Sequence, residues 1–533
     1  MAITVYAQPD TVCSARSNVI FDVVTDSTDI TTKIVAQVFY KTRQDDFYRR
    51  AGRKEQTKRA GYNYFRFNVA GLLEKLLSHN YQESGTAIKT NIDKSSIEFF
   101  VRFTEYYPSP SFPAVASANS STFYANNVGI LTTETQGTFT GSDWYMDGVA
   151  SHKFLTNSPS IQPIRASERI QLGFLTSYTD PIISLRETKN NLSTSTTTYS
   201  IGNQTYNTYL WDWSVDEAEV VTIGTPNLYA ETVYIDNITT SPNAEYKYMP
   251  DSANAMWGGI QLIGVDSLVE IILPTWTAPA SFYMYSIAKT SSANFEIYFF
   301  HTGVWNISAG SPYTNPLNTF ATTSESLPAG TTKVRIKKIS DGTADQLWIP
   351  YAYLSAVDNN AQNKRCQFTL DTTHIDSDTK QLEVWVEGGS ANVISEVKTF
   401  LVDTDLVDAT SRFAFKNLRG DFDHYTFKQG HQESLVVDKI RFESELPVGF
   451  TKADRQTSVA FVNSEIVFTS WTNYETNEIL TWLKELVESK EVYLIVSDVR
   501  YAVDILNSGV DYSHHSDNLA FEIKWRFASK RNV

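Results

Sequence analysis

The residues most able to do chemistry crowd into one stretch, "RFAFKNLRGDFDHYTF", Arg412 to Phe427. Asp421 and Asp423 stand two apart, His424 follows, and Lys416 and Arg419 lie just upstream. Two carboxylates beside an imidazole could move a proton in general acid–base catalysis. The same residues could equally build a turn. Phe413 and Phe415 alternate, Gly420 supplies the positive φ that other residues resist, and Phe422, Tyr425 and Phe427 follow. Asp421 and Asp423 can bond backbone amides around that turn, and the aromatics can pair across the strands. A β-hairpin therefore accounts for every residue without chemistry, and it is the reading we adopt for this stretch.

Elsewhere the signals for chemistry are thin. There is no GxSxG nucleophile elbow, no GxxxxGK[ST] phosphate cradle, no GxGxxG after a strand and no HExxH zinc helix. "DSDT" at 376 and "DTDLVD" at 403 are acidic but lack the spacing of a calcium loop. His514 and His515 adjoin Asp511 and Asp517, yet neighbours in a strand point to opposite faces, so a polar loop is the simpler reading. Carboxylates are plentiful, and nothing marks one pair as a glycosidase dyad. The 11 Trp and many Tyr could stack on sugar rings, but scattered through strands they read first as core. We expect no catalytic, cofactor or metal site, and no enzyme.

One segment stands out by charge. Residues 41–60, "KTRQDDFYRRAGRKEQTKRA", carry eight basic and three acidic residues, a local charge of 8 − 3 = +5 in a chain of net −15. It is expected as an exposed hairpin tip, either a solvated loop or a contact for an acidic partner through Arg49, Arg50, Arg53 and Lys54.

These residues must be positioned by β structure. The composition, 42% hydrophobic and 20% charged, is that of a folded chain. Its bias to Tyr, Phe, Thr, Ser and Asn suits pleated strands and polar turns. The acidic balance argues against a nucleic-acid groove, which needs clustered cations. Cys13 and Cys366 fit no metal or disulfide pattern and read as buried thiols. The N-terminus lacks a basic then apolar leader, and no window approaches the roughly 18 apolar residues of a membrane span.

The expected fold is mainly β, with sandwich or jelly-roll-like domains and a few short helices. Residues 1–107 form a β domain with one helix near 69–78, capped by Asn68. Residues 108–121, rich in Pro and Ser, form a linker or arm. Residues 122–403 form a central β region with an inserted sandwich or jelly roll near 200–345. Residues 404–533 form an α+β domain, with a helix near 475–489 opened by a capping box of Thr472 and Glu475.

The opening stretch also resembles a segment, "rFaFlNslGGfDyYtF", of structural proteins in the tails and baseplates of bacteriophages that infect Bacteroidota. "QPDTVCSARSNVIFDVVTDS", "YFRFNVAGLLEKLLSHN" and "KFLTNSPSIQPIRASERIQLGFL" are similar to further segments of that group, as are the helix and terminal strand after "SWTNYE". Asp421 stands where the group has its second glycine, and the region near 200–345 has no counterpart. The resemblance implies a virion component that assembles with other virion proteins and with copies of itself. It would be assembled in the host cytoplasm and released by lysis, without nucleic acid or membrane as a partner. A glycan-binding or glycan-cleaving role at the host surface is the alternative.

Overall fold

The computed structural model describes residues 3–529, apart from 82–86, 107–113, 130–141, 213–220, 224–232, 249–257, 275–279, 340–345, 404–409, 508–520 and stretches of one to three residues elsewhere. The protein is mainly β, built from mostly antiparallel sheets, with two short α-helices among the described residues. His514 and His515, with Asp511 and Asp517, lie outside the described residues.

The N-terminal body grows from the strand Ser96–Tyr106. Ile97, Phe99, Val101 and Phe103 face one core, while Phe100, Arg102 and Thr104 between them are buried on the opposite face. This strand pairs with Lys33–Lys41, which pairs with Tyr48–Thr57. A second sheet, Ile3–Ala7, Ile20–Thr25 and Tyr64–Asn68, shares the core of Phe21, Phe67, Phe99, Phe103 and Phe123. Part of the expected linker is instead a strand: Ala114–Asn119 pairs with residues 102–106. The three prolines of this segment, at 108, 110 and 113, precede the strand in sequence, so "AVASAN" keeps every backbone donor for the sheet. The first helix is shorter than expected. It comprises α1, Ala70–Leu73, and a 3₁₀ turn, Glu74–Leu76. Asn68 Oδ1 accepts from Ala70 N at 3.1 Å and from Val19 N at 3.2 Å, so one side chain serves both the helix start and a neighbouring segment.

A middle body encloses Phe154, Phe174, Phe368, Leu382, Val384 and Phe400. One wall has the order Ile161–Arg165, Lys398–Asp403, Thr379–Gly388, Ile182–Lys189, Thr194–Tyr199. The other is Ile170–Leu175, Arg365–Leu370 and Lys89–Thr90, so the N-terminal segment contributes a strand here. Cys13 and Cys366 lie in separate cores as free, buried thiols.

The inserted sandwich runs from Thr205 to Val357, about a dozen residues further than the expected end at 345. The strand Gln346–Val357 belongs to it, because it pairs with both Thr205–Asp212 and Ala280–Lys289. Two six-stranded sheets enclose a core that includes Trp211, Phe282, Met284, Phe295 and Ile336.

The C-terminal body is one seven-stranded sheet in the order Phe422–Phe427, Ser411–Lys416, Val492–Val496, Val499–Ile505, Glu522–Phe527, Thr457–Trp471, His431–Glu443. Helix α2, Asn477–Glu488, lays Leu480, Trp482, Leu483 and Leu486 into its core. The cap is Thr476, whose hydroxyl accepts from Ile479 N at 3.4 Å, and not the expected Thr472. Thr472 is buried and accepts from Phe521 N instead. No described helix is long and apolar enough to cross a membrane.

Candidate functional site

Ser411–Lys416 and Phe422–Phe427 form a hairpin, with Phe413 opposite Tyr425 and Phe415 opposite Asp423. Phe413, Phe415, Phe422, Tyr425 and Phe427 are all buried. Gly420 sits at φ +83°, and a Cβ there would lie 2.4 Å from the Asn127 carbonyl oxygen. The turn is therefore pressed against another part of the chain, and only glycine fits.

The two aspartates do more than hold the turn. Asp421 Oδ1 accepts from Phe422 N at 2.8 Å, as turn chemistry requires. The same carboxylate lies 3.1 Å from Arg365 Nη2 and 3.3 Å from His79 Nε2. All three side chains are almost fully buried. The Arg365 contact is a charge pair without hydrogen-bond alignment, while its Nη1 donates to the Asn127 carbonyl at 3.2 Å. Burial pushes the Asp421 carboxyl up, but Arg365 and His79 outweigh it and hold it at about 2. Burial, with Arg365 nearby, lowers His79 to about 4, so its imidazole is neutral and its Nε2 proton points at the carboxylate. The backbone at Gly173 passes so close to Asp421 that a Cβ would meet Oδ2 at 1.8 Å.

Asp423 departs from the turn role expected of it. Its carboxylate accepts from Trp482 Nε1 at 2.7 Å, Thr156 Oγ1 at 2.8 Å and Asn417 Nδ2 at 2.9 Å. Burial, then the neighbouring Glu485, pushes it up to about 7 against those three donors. His424 is buried against Tyr81, 3.2 Å from its hydroxyl, and burial lowers its pKa well below the ordinary value. Arg419 stacks on Trp144 at 3.8 Å and donates to the Gly129 carbonyl at 3.0 Å. The hairpin is thus a staple on which the N-terminal body, the middle body and helix α2 converge.

This arrangement offers little for catalysis. Asp421 and Asp423 are enclosed by protein. The adjoining crevice, lined by Glu168, Arg412, His424 and Glu475 among others, holds about 20 Å³. That is room for about one water and none for a sugar ring. Glu187, Asp376 and Asp378 converge closely enough to suggest a cation. The protein supplies its own, since Lys189 Nζ lies 3.1 Å from Asp376 and 3.2 Å from Asp378.

The basic segment is not a hairpin tip. From Tyr48 to Thr57 it is a strand of the N-terminal sheet. The turn before it is tight, with Asp45 N bonded to the Thr42 carbonyl, so Arg49, Arg50, Arg53 and Lys54 fall inside the strand. Arg49 lies 3.3 Å from Asp45 and stacks on Phe47 at 4.7 Å. Arg50 is half-buried. Arg53 and Lys54 are exposed; Arg53 lies 3.4 Å from Glu55, and Lys54 donates to the Asn68 carbonyl.

A further surface feature was not singled out in the sequence. His431–Glu443 and Thr457–Trp471 pair over thirteen registers as a long ribbon. Only its root, Phe468 to Trp471, also pairs with Glu522–Phe527. Beyond that root the two strands pair only with each other among the described residues. Leu435, Ile440 and Phe461 are 67%, 59% and 59% exposed, and Val436, Val437, Phe442, Val459, Val462 and Ile466 are exposed as well. An apolar two-stranded ribbon in water is marginal at best.

No protein-family model matches the chain, and no curated protein matches it. Several solved structures are similar to part of it. One is the CBM22-1 xylan-binding domain of Paenibacillus barcinonensis Xyn10C, 6% identical, covering 28% of this chain and 96% of that one with a TM-score of 0.21. A carbohydrate-binding module CBM36 in complex with calcium and xylotriose is 11% identical, covering 22% of this chain and 100% of that one with a TM-score of 0.17. The C-terminal CBM6 of the laminarinase LamC from Zobellia galactanivorans is 14% identical, covering 22% and 99% with a TM-score of 0.16.

Proposed function

We propose that this protein is a structural subunit that works by assembly, a tail or baseplate component of the virion type that its terminal segments resemble. The ribbon carries this reading. Large contiguous apolar surfaces on an isolated chain mark sites where another molecule belongs. A buried staple at the centre with a projecting ribbon at the edge suits a part that must be rigid itself and bind its neighbours. The exposed end of the basic strand, Arg53 and Lys54, supplies a second contact for an acidic neighbour. The test is deletion of residues 434–467, closed by a short turn at the root. The shortened chain should keep its melting transition and be excluded from particles. Incorporation at the parent level would overturn the reading.

A second reading, contact with a host-surface glycan, is favoured by the outer face of the inserted sandwich. Phe282, Met284, Ala352 and Leu354 point into the core, so their neighbours in the strands point outward. Tyr283 stacks on Tyr353 with ring centroids 4.7 Å apart, and Tyr285 on Tyr351 at 4.9 Å. Rings stacked on one another turn their edges and hydroxyls outward, beside Thr322, Ser324 and Asn207. Such an uncharged face can exchange hydrogen bonds with a neutral sugar. On a glycan array the parent should bind a neutral glycan, and Tyr283→Phe with Tyr353→Phe should lose that binding while melting unchanged. Binding that survives both changes would exclude this face.

A further inference from the structure

Resting on that assembly reading, we infer that the ribbon's partner is the ribbon of another copy of this chain, stacked face to face in a head-to-tail series. The register defines the two faces, since paired residues share a side. On one face Leu435 lies opposite Ile466, Lys439 opposite Val462 and Arg441 opposite Val459. On the other, Val436 lies opposite Glu465, Asp438 opposite Asn463 and Ile440 opposite Phe461. Both faces are apolar, but their charges differ. The middle of the first carries two cations, Lys439 and Arg441, with Glu443 opposite Thr457 towards the tip and Glu433 opposite Phe468 at the root. The second carries two carboxylates, Asp438 and Glu465, the latter 2.8 Å from Arg526 at the root.

Area and charge together select the occupant. Nine large apolar side chains exposed by 37% to 67% leave on the order of 800 Å² of apolar surface, one partner's share of a standard interface. That area is divided between the two sides, so one neighbour on one side covers only about half of it. A two-fold pairing of the first face centred on its cations would set Lys439 and Arg441 against their own copies, and like charges across an interface are costly. Cationic face on acidic face satisfies both. Every copy then covers one face of each neighbour. Such heterologous contacts close into a ring when the rotation allows it.

The experiment is a charge swap on exposed ribbon positions, read by light scattering of the purified full chain across a concentration series. The parent should self-associate. Lys439→Glu with Arg441→Glu should weaken association by more than about tenfold, and so should Asp438→Lys. The chain carrying all three changes should associate again, because its faces are complementary with the signs exchanged. Mixing the two weakened variants should also restore association, in alternating copies. A parent that stays monomeric, or a triple variant that stays dissociated, overturns self-stacking. If the ribbon deletion is nevertheless excluded from particles, the ribbon binds a different virion protein and the assembly reading stands. If the deletion is incorporated normally, the assembly reading itself falls.

Discussion

Asp421→Asn should destabilise the protein by about 3–5 kcal/mol at pH 7, as measured by urea or thermal unfolding. The side chain keeps its size, so the loss is electrostatic. Arg365 would remain as a cation in a site that is 1% exposed, with its counter-charge removed. His79 would face an amide where it had an anion. The same group sets an acid limit. Its folded pKa of about 2 lies below the ordinary aspartate value near 3.9. A depressed carboxylate contributes stability that is present above the unfolded pKa and lost as pH falls from about 4 through 2. At about 1.4 kcal/mol per pH unit, that loss amounts to roughly 2–3 kcal/mol. The Asn variant should start lower and lose less over that window. A variant within about 0.5 kcal/mol of the parent, the range of ordinary surface changes, would show that Asp421 is no keystone.

Asp423 should give the opposite slope. Its folded pKa of about 7 lies above the unfolded value, so the native state holds a proton that the unfolded chain releases. The stability it contributes is complete below about pH 4 and is lost as pH rises through 7. The gap of about three pH units between the folded and unfolded values sets an upper scale of about 4 kcal/mol, reached only if the unfolded chain titrates normally. Asp423→Asn should flatten that slope. At pH 8 the variant should be close to the parent, because removing a buried charge offsets one mispaired donor among Trp482, Thr156 and Asn417, worth about 1 kcal/mol. Unfolding free energies of parent and variant between pH 4 and 8 decide the matter. Parallel curves would mean that Asp423 is ionised throughout, held so by its three donors.

The two aspartates behave oppositely although they stand two residues apart on one hairpin. Nothing local predicts this. Asp421 draws a hydrogen-bond donor from His79, 342 positions away, and its charge partner from Arg365 in the middle body. Asp423 meets Thr156, 267 positions away, and Trp482 on helix α2, 59 positions away. Sequence reasoning assigned both to the turn because turn chemistry is the short-range option for an aspartate. For Asp421 that bond exists, beside the His79 hydrogen bond and the Arg365 ion pair. For Asp423 it does not.

The ribbon shows the same limit from the other side. "SLVVDKIRF" and "VAFVNSEIVF" are rich in β-branched and aromatic residues, and in isolation they read like core strands. Whether such a strand is covered depends on what packs over it, and here the sheet ends at His431–Glu443. Everything carried by period and local geometry can be read along the chain. This includes the mainly β character, the alternation of Ile97 to Phe103, the apolar stripe of helix α2, and the hairpin around Gly420. Those patterns arise because a strand repeats every two residues and a helix every 3.6, whatever lies beyond them. Which carboxylate is paired, which is squeezed, and which apolar strands leave the body follow from long-range packing. Burial and charge pairing depend on residues that the chain brings together across hundreds of positions.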